Sequence, residues 1–229
     1  MVLPALVVFG PQTSWPTTGI LSIVRLHLLK APCLEEVRDA VVGLPELWKS
    51  LCKSDSTLQD LPGERWSATL KRWLHDDSSM WSGDVAPNTL ATPLTIIIHT
   101  IQLLYELEST ITDRSLDDLL KSLDVAGVQG FCTGFLTAAA LASSRSLSDF
   151  GSFAAKSIGL AFCIGVYADL NGRFGHESNE DVCLAVRLTA DSDQASIANA
   201  LQNASGVSTE VKTLRQLLIH MLVLRFGIA

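Results

Sequence analysis

The chain has 229 residues, 48% of them hydrophobic and 18% charged, which excludes intrinsic disorder and allows one sizeable core. Seventeen basic residues against twenty-four acidic ones leave a formal charge of −7 with no basic cluster, so nucleic acid is not an expected partner.

Residues 5–9, Ala-Leu-Val-Val-Phe, form a continuous apolar run stopped by Gly10-Pro11, the pattern of a parallel strand buried on both faces. Between residues 32 and 92 the prolines Pro45, Pro62 and Pro87 break up short amphipathic pieces, which predicts helices joined by long connections. After Pro93, residues Leu94, Ile97, Ile98, Ile101, Leu104 and Tyr105 follow helical spacing, and Thr95, His99, Gln102 and Glu106 form a polar stripe between them. Residues 124–132 read as a short buried strand running into a tight turn, and 133–144, rich in alanine, as the helix that follows. A further helix is predicted over 147–170, stopped by Asn171-Gly172. A third strand is predicted over 182–188, a helix over 191–203 and a poorly capped helical tail over 209–229. The first nine residues lack a basic start, and the apolar tail is interrupted by His220 and Arg225, so no leader and no membrane span are expected. Alternating strands and helices point to the α/β class.

The chemistry concentrates in Gly130-Phe-Cys-Thr-Gly134, a GxCxG motif between a predicted strand and a predicted helix. A nucleophile elbow holds its central residue at the tip of a strained turn, and glycines two positions before and after let strand and helix approach. Gly130 and Gly134 fit that need, which makes Cys132 the candidate nucleophile. It faces the N-terminal end of the following helix, where the dipole favours an anion. Such a site also needs amide donors for a developing oxyanion. The Thr133 amide is one candidate, and the Gln12 amide, in the loop after the first strand, is the other. The bland alternative is a buried thiol in a Gly/Ala-rich turn. The other cysteines, Cys33, Cys52, Cys163 and Cys183, are widely spaced without a CxxC pair, so no metal site and no disulfide framework is expected, and a reducing cytoplasmic setting fits.

Four segments together carry a resemblance: Phe9-Gly-Pro-Gln-Thr13, Thr92-Pro-Leu-Thr-Ile-Ile-Ile-His-Thr-Ile-Gln102, Gly127-Val-Gln-Gly-Phe-Cys-Thr-Gly-Phe-Leu-Thr-Ala-Ala-Ala140 and Ile158-Gly-Leu-Ala-Phe-Cys-Ile-Gly165. In this order they resemble the starter-unit acyl-carrier-protein transacylase (SAT) domain at the N-terminus of fungal non-reducing polyketide synthases, over residues 5–203. The resemblance implies a malonyl-transacylase-like fold, an α/β-hydrolase-like core with a short parallel sheet and a nucleophile elbow. It implies an acyltransferase of polyketide biosynthesis in which Cys132 takes a starter acyl group from an acyl-CoA or acyl-carrier-protein donor. The acceptor is then the phosphopantetheine thiol of an acyl carrier protein, and no cofactor is bound by the chain itself. Extender-loading relatives hold a malonyl carboxylate with an arginine in the helix after the elbow, and residues 157–170 contain none, so an uncharged acyl group is expected.

In SAT domains the partner histidine follows a small ferredoxin-like subdomain, whereas the resemblance here fades after Gly206. Residues 1–190 are therefore expected to be the N-terminal part of the acyltransferase core, and 191–229 the start of the small subdomain followed by a divergent apolar tail. The alternative reading is a truncated, non-catalytic SAT-like protein without its general base. His99, on the polar stripe, and His220, in an apolar stretch, are the weak candidates for that base, whereas His27, His75 and His176 lack supporting context. Class I glutamine amidotransferases also place cysteine in such an elbow but need a His-x-Glu, which neither His176 nor His220 supplies. Docking of an acidic carrier protein is expected to use Lys71 and Arg72 or Arg145 and Lys156.

Overall fold

The computed structural model describes residues 6–11, 16–76, 86–109, 119 and 127–174. Two short strands, β1 (Val7–Phe9) and β2 (Val128–Gly130), pair in parallel with Val7 opposite Val128 and Phe9 opposite Gly130. Six α-helices surround them: α1 (Thr18–Lys30), α2 (Glu35–Ser54), α3 (Gly63–Asp76), α4 (Asn88–Ser109), α5 (Gly134–Ala142) and α6 (Leu147–Phe174). The described region is thus α/β in class but mostly helical. The expectation that the first strand is buried on both faces is corrected: Phe9 is buried, whereas Val8 is 48% exposed, because neighbouring residues of a strand point to opposite faces and one of β1's is open.

Helices start and stop here through side chains from elsewhere in the chain. The first amides of a helix have no partner within it. In α4 those of Asn88 and Thr89 donate to the two carboxylate oxygens of Asp169 in α6, each at 2.8 Å, and the Thr89 hydroxyl and Asn88 side-chain amide join them. Pro87 accepts the next bonds, from Leu90 and Ala91. This anchoring lets α4 begin before Pro93, which lies inside the helix rather than ahead of it as the sequence suggested. At the other polarity, Arg38 of α2 donates to the Leu28 and Ala31 carbonyls ending α1, and Arg25 of α1 donates to the Leu74 and His75 carbonyls ending α3. The long helix α6 runs through Asn171-Gly172 to Phe174. A helix tolerates Asn and Gly at a cost of roughly 0.5–1 kcal/mol each, and the buried Leu170 with the Asp169 anchor offsets it.

Two apolar cores result. The larger joins α1, α2, α3, α4 and α6 through Leu28, Val41, Trp73, Ile97 and Phe162. The smaller, made of Phe9, Leu103, Ala138, Leu141 and Phe150 with Leu119, supports the strands and α5. Helix α4 serves both. Among the described residues α4 and α6 are long and apolar enough to cross a membrane; 72% of the apolar stretch of α4 is buried in the fold, as in the core helix of a globular domain, against 39% for α6. Tyr105, placed on the apolar face by its spacing, is instead 51% exposed and meets His27 edge-on at 5.6 Å, while its neighbour Leu104 takes the buried position. The predicted strand 182–188, the helix 191–203, the tail 209–229 and the expected boundary near residue 190 lie outside the described residues.

Candidate functional site

Three residues, Phe131, Cys132 and Thr133, carry the chain from β2 directly into α5, the strand–turn–helix order that the spacing predicted. Cys132 sits at the tip with φ = 54°, the left-handed region that side-chain-bearing residues rarely adopt. The turn is held by backbone bonds: Phe131 N–H donates to the Phe9 carbonyl at 3.0 Å, Gly134 N–H to Phe131 at 2.9 Å and Phe135 N–H to Cys132 at 3.0 Å. A Cβ on Gly130 would strike the Gly134 carbonyl, and a Cβ on Gly134 would strike the carbonyls of Phe9 and Gly10. These are backbone neighbours that cannot swing aside. Both glycines are therefore required by close approach, and both lie where the motif placed them.

The thiol of Cys132 is exposed, so the bland alternative of a buried turn cysteine is set aside. The side chains on either side of it, Phe131 and Phe135, are 42% and 64% exposed. Sequence reasoning passed over both, although they stand only one before and three after Cys132 in the chain. Cys33, Cys52 and Cys163 are only half-buried or nearly so, and burial raises the thiol pKa of Cys52 and Cys163 above the ordinary value, disfavouring their thiolates. Thr133, half-buried, opens α5; Gln12 lies outside the described residues.

Beside the turn, a cavity of about 720 Å³ runs along β1, walled by Val8 and Phe9, by Ile20 of α1 and by Ile98, His99 and Gln102 of α4. Its volume falls within the roughly 300–1,000 Å³ usual for small-molecule sites. The loop residues Gly10 and Pro11 belong to its wall, and Gly10 is the residue against which Gly134 is seated. The polar stripe of α4 thus lines this cavity, with Gln102 and Glu106 also exposed to solvent. No Lys or Arg is among the described residues that wall it.

His99 Nδ1 lies 3.3 Å from the Thr137 hydroxyl of α5, and its ring packs on Phe9 at 5.5 Å. Burial lowers its pKa below the ordinary value of 6.5. Thr137 comes five residues after Cys132, about 7 Å along the helix axis, so His99 meets the helix well below the thiol. His27 packs on Tyr105 and His75 ends α3, while His176 and His220 lie outside the described residues. Of the two pairs considered for docking, Lys71 and Arg72 lie together on α3, while Arg145 lies just before α6 and Lys156 within it; Lys156 covers the Phe153 ring at 5.0 Å, and Arg72 donates to Thr69. Among the described residues no three His, Cys, Asp or Glu side chains are grouped to hold a metal ion.

Comparison with known proteins bears on the whole arrangement. The family model SAT, described as "Starter unit:ACP transacylase in aflatoxin biosynthesis", matches residues 68–218, which include the Cys132 turn, α4 and α6. The chain is 35% identical over 217 residues to the non-reducing polyketide synthase spyA of Aspergillus fumigatus, covering 92% of this chain and 12% of that protein. It is 34% identical over 188 residues to methylphloroacetophenone synthase of Cladonia uncialis, covering 82% of this chain and 7% of the other. With 5-methylorsellinic acid synthase of Aspergillus terreus it shares 31% identity over 212 residues, 92% of this chain and 8% of the other. The chain thus spans about a tenth of the length of the curated relatives it matches. The family match reaches over the cysteine turn and both long helices, and the likeness to the synthases runs along most of the chain: it belongs to the SAT family.

Proposed function

We propose that the chain transfers a starter acyl group from an acyl thioester, acyl-CoA or acyl carrier protein, through Cys132 to the phosphopantetheine thiol of an acyl carrier protein. The observation that carries this reading is the exposed thiol held at φ = 54° on a strand–turn–helix junction, within a chain of the SAT family. The Cys132 sulfur attacks the thioester carbonyl, the donor thiol leaves with a proton, and the acyl group remains on Cys132 as a new thioester. The carrier's phosphopantetheine thiol then attacks that carbonyl and Cys132 departs as the free thiol. The Thr133 amide, just ahead of α5, and the Gln12 amide are the proposed donors to the oxyanion formed in each step. His220 and His99 remain the candidate proton acceptors from sequence, and the placement of His99 against Thr137 makes it the poorer of the two. No bound cofactor enters the scheme, because the phosphopantetheine belongs to the carrier.

The cavity along β1 supports an uncharged acyl group: its walls are largely apolar, and Glu106 rather than a cation lies among them. The exposed rings of Phe131 and Phe135 offer apolar surface for the methylenes of the pantetheine arm. The test is to incubate the chain with acyl-CoA, map the acyl adduct by mass spectrometry and then add a carrier protein bearing phosphopantetheine. An adduct on Cys132, absent in Cys132→Ala and chased to the carrier, is the expected result. Acylation that maps elsewhere removes the proposal, and an adduct that stays on Cys132 in the presence of carrier leaves the non-catalytic alternative.

A further inference from the structure

The helix that presents Cys132 is short. Nine residues are too few for a stable isolated helix in water, and a non-glycine residue in the left-handed region costs about 1–3 kcal/mol, persisting only where its surroundings enforce it. How α5 is docked therefore decides how the thiol is presented. Side-chain bonds reach α5 from two neighbours. Ser157 of α6 donates to the Leu136 carbonyl at 3.3 Å, and His99 of α4 meets the hydroxyl of Thr137, which is fully buried. The second bond is the more telling, because a buried hydroxyl that loses its partner carries its full desolvation cost. The His99 ring also packs on Phe9, whose carbonyl accepts from Phe131, the residue before Cys132. A single imidazole thus touches β1, the partner of the strand leading into the bend, and the helix leading out of it.

We propose that His99 is a positioning residue for Cys132: its Nδ1 contact with Thr137 and its ring on Phe9 hold α5 against β1 and so keep the thiol in its left-handed turn. The inference rests on Cys132 being the working thiol, and it assigns His99 a role other than proton acceptor. Burial, which favours the neutral ring, is consistent with a hydrogen-bonding rather than a charge-carrying part.

The test uses the full chain and reads the thiol directly, through the rate at which iodoacetamide alkylates Cys132, alongside acyl loading from acyl-CoA and unfolding in urea. His99→Leu and Thr137→Val are each expected to slow alkylation about tenfold, and the double variant no further, since coupled partners are not additive. His99→Asn, whose amide reaches the position of Nδ1, and Thr137→Ser, which keeps the hydroxyl, are expected to return within about twofold of the parent, with the same pH profile. Parental alkylation in folded His99→Leu, additive losses in the double variant, or a His99→Asn as slow as His99→Leu with an altered pH profile each overturn the proposal. If His99→Leu does not fold, the Thr137→Val and Thr137→Ser pair decides by itself. Because iodoacetamide needs no acyl donor, a parent that never loads acyl groups but shows the expected alkylation pattern removes the transferase reading while leaving this one standing.

Discussion

At Cys132 a left-handed backbone coincides with the proposed chemistry. If its left-handed conformation is strained, relieving it with glycine, which adopts positive φ freely, stabilises the fold. Cys132→Gly is expected to raise unfolding stability by roughly 1 kcal/mol over Cys132→Ala, which keeps the Cβ, and both lose acyl uptake; urea titration of the two variants checks this. Gly134→Ala works in the opposite sense. Its methyl group meets the Phe9 and Gly10 carbonyls, so a loss of about 1–3 kcal/mol is expected in the same measurement. His99 adds a pH dependence. With its folded pKa below the ordinary 6.5, the unfolded chain binds the proton more readily. Its stabilising contribution is complete above about pH 6.5 and is lost as pH falls through the folded pKa. Between pH 7 and 5 the parent is therefore expected to lose more stability than His99→Asn does, as measured by urea midpoints across that range.

Among the elements, α4 shows how remote side chains set helix boundaries. The periodicity of residues 94–105 announced a helix, but its true start at Asn88 is decided by Asp169, 81 residues away, which no local pattern encodes. Asp169→Ala removes the acceptor of four hydrogen bonds at the α4 N-terminus and is expected to cost about 1–3 kcal/mol, with amide exchange accelerating first at residues 88–91. The close seating of Gly165 of α6 on the Asn88 carbonyl gives the same junction a second constraint. Helix α5 is the contrasting case, legible almost entirely from sequence: glycines at 130 and 134 and a run of alanines are local signals of close packing. Its bond to α4 was not legible, because the polar stripe holding His99 reads equally well as a face in water. Only the cavity along β1 gives that stripe its surroundings.

For the whole described region, the two cores share α4 and α6, and a fault in either is felt through both helices. Leu141→Ala, fully buried in the smaller core, is expected to cost about 2–5 kcal/mol and to loosen α5. Slowest amide exchange is expected in the buried middle of α4, since opening it disrupts both cores; hydrogen exchange by mass spectrometry reads this.

By itself the sequence determined the α/β class, the strand–turn–helix around Cys132 and the family, since each rests on signals a few residues apart: spacing, glycine pairs and apolar periodicity. The tertiary structure decided that Cys132 is exposed at the tip of its turn, that Asp169 starts α4, and that His99 meets Thr137 in the helix after Cys132. The last two are contacts between residues 38 and 81 positions apart. Hydrogen bonding and burial at such separations depend on how the helices pack, and packing is a property of the folded chain that no stretch of residues carries alone.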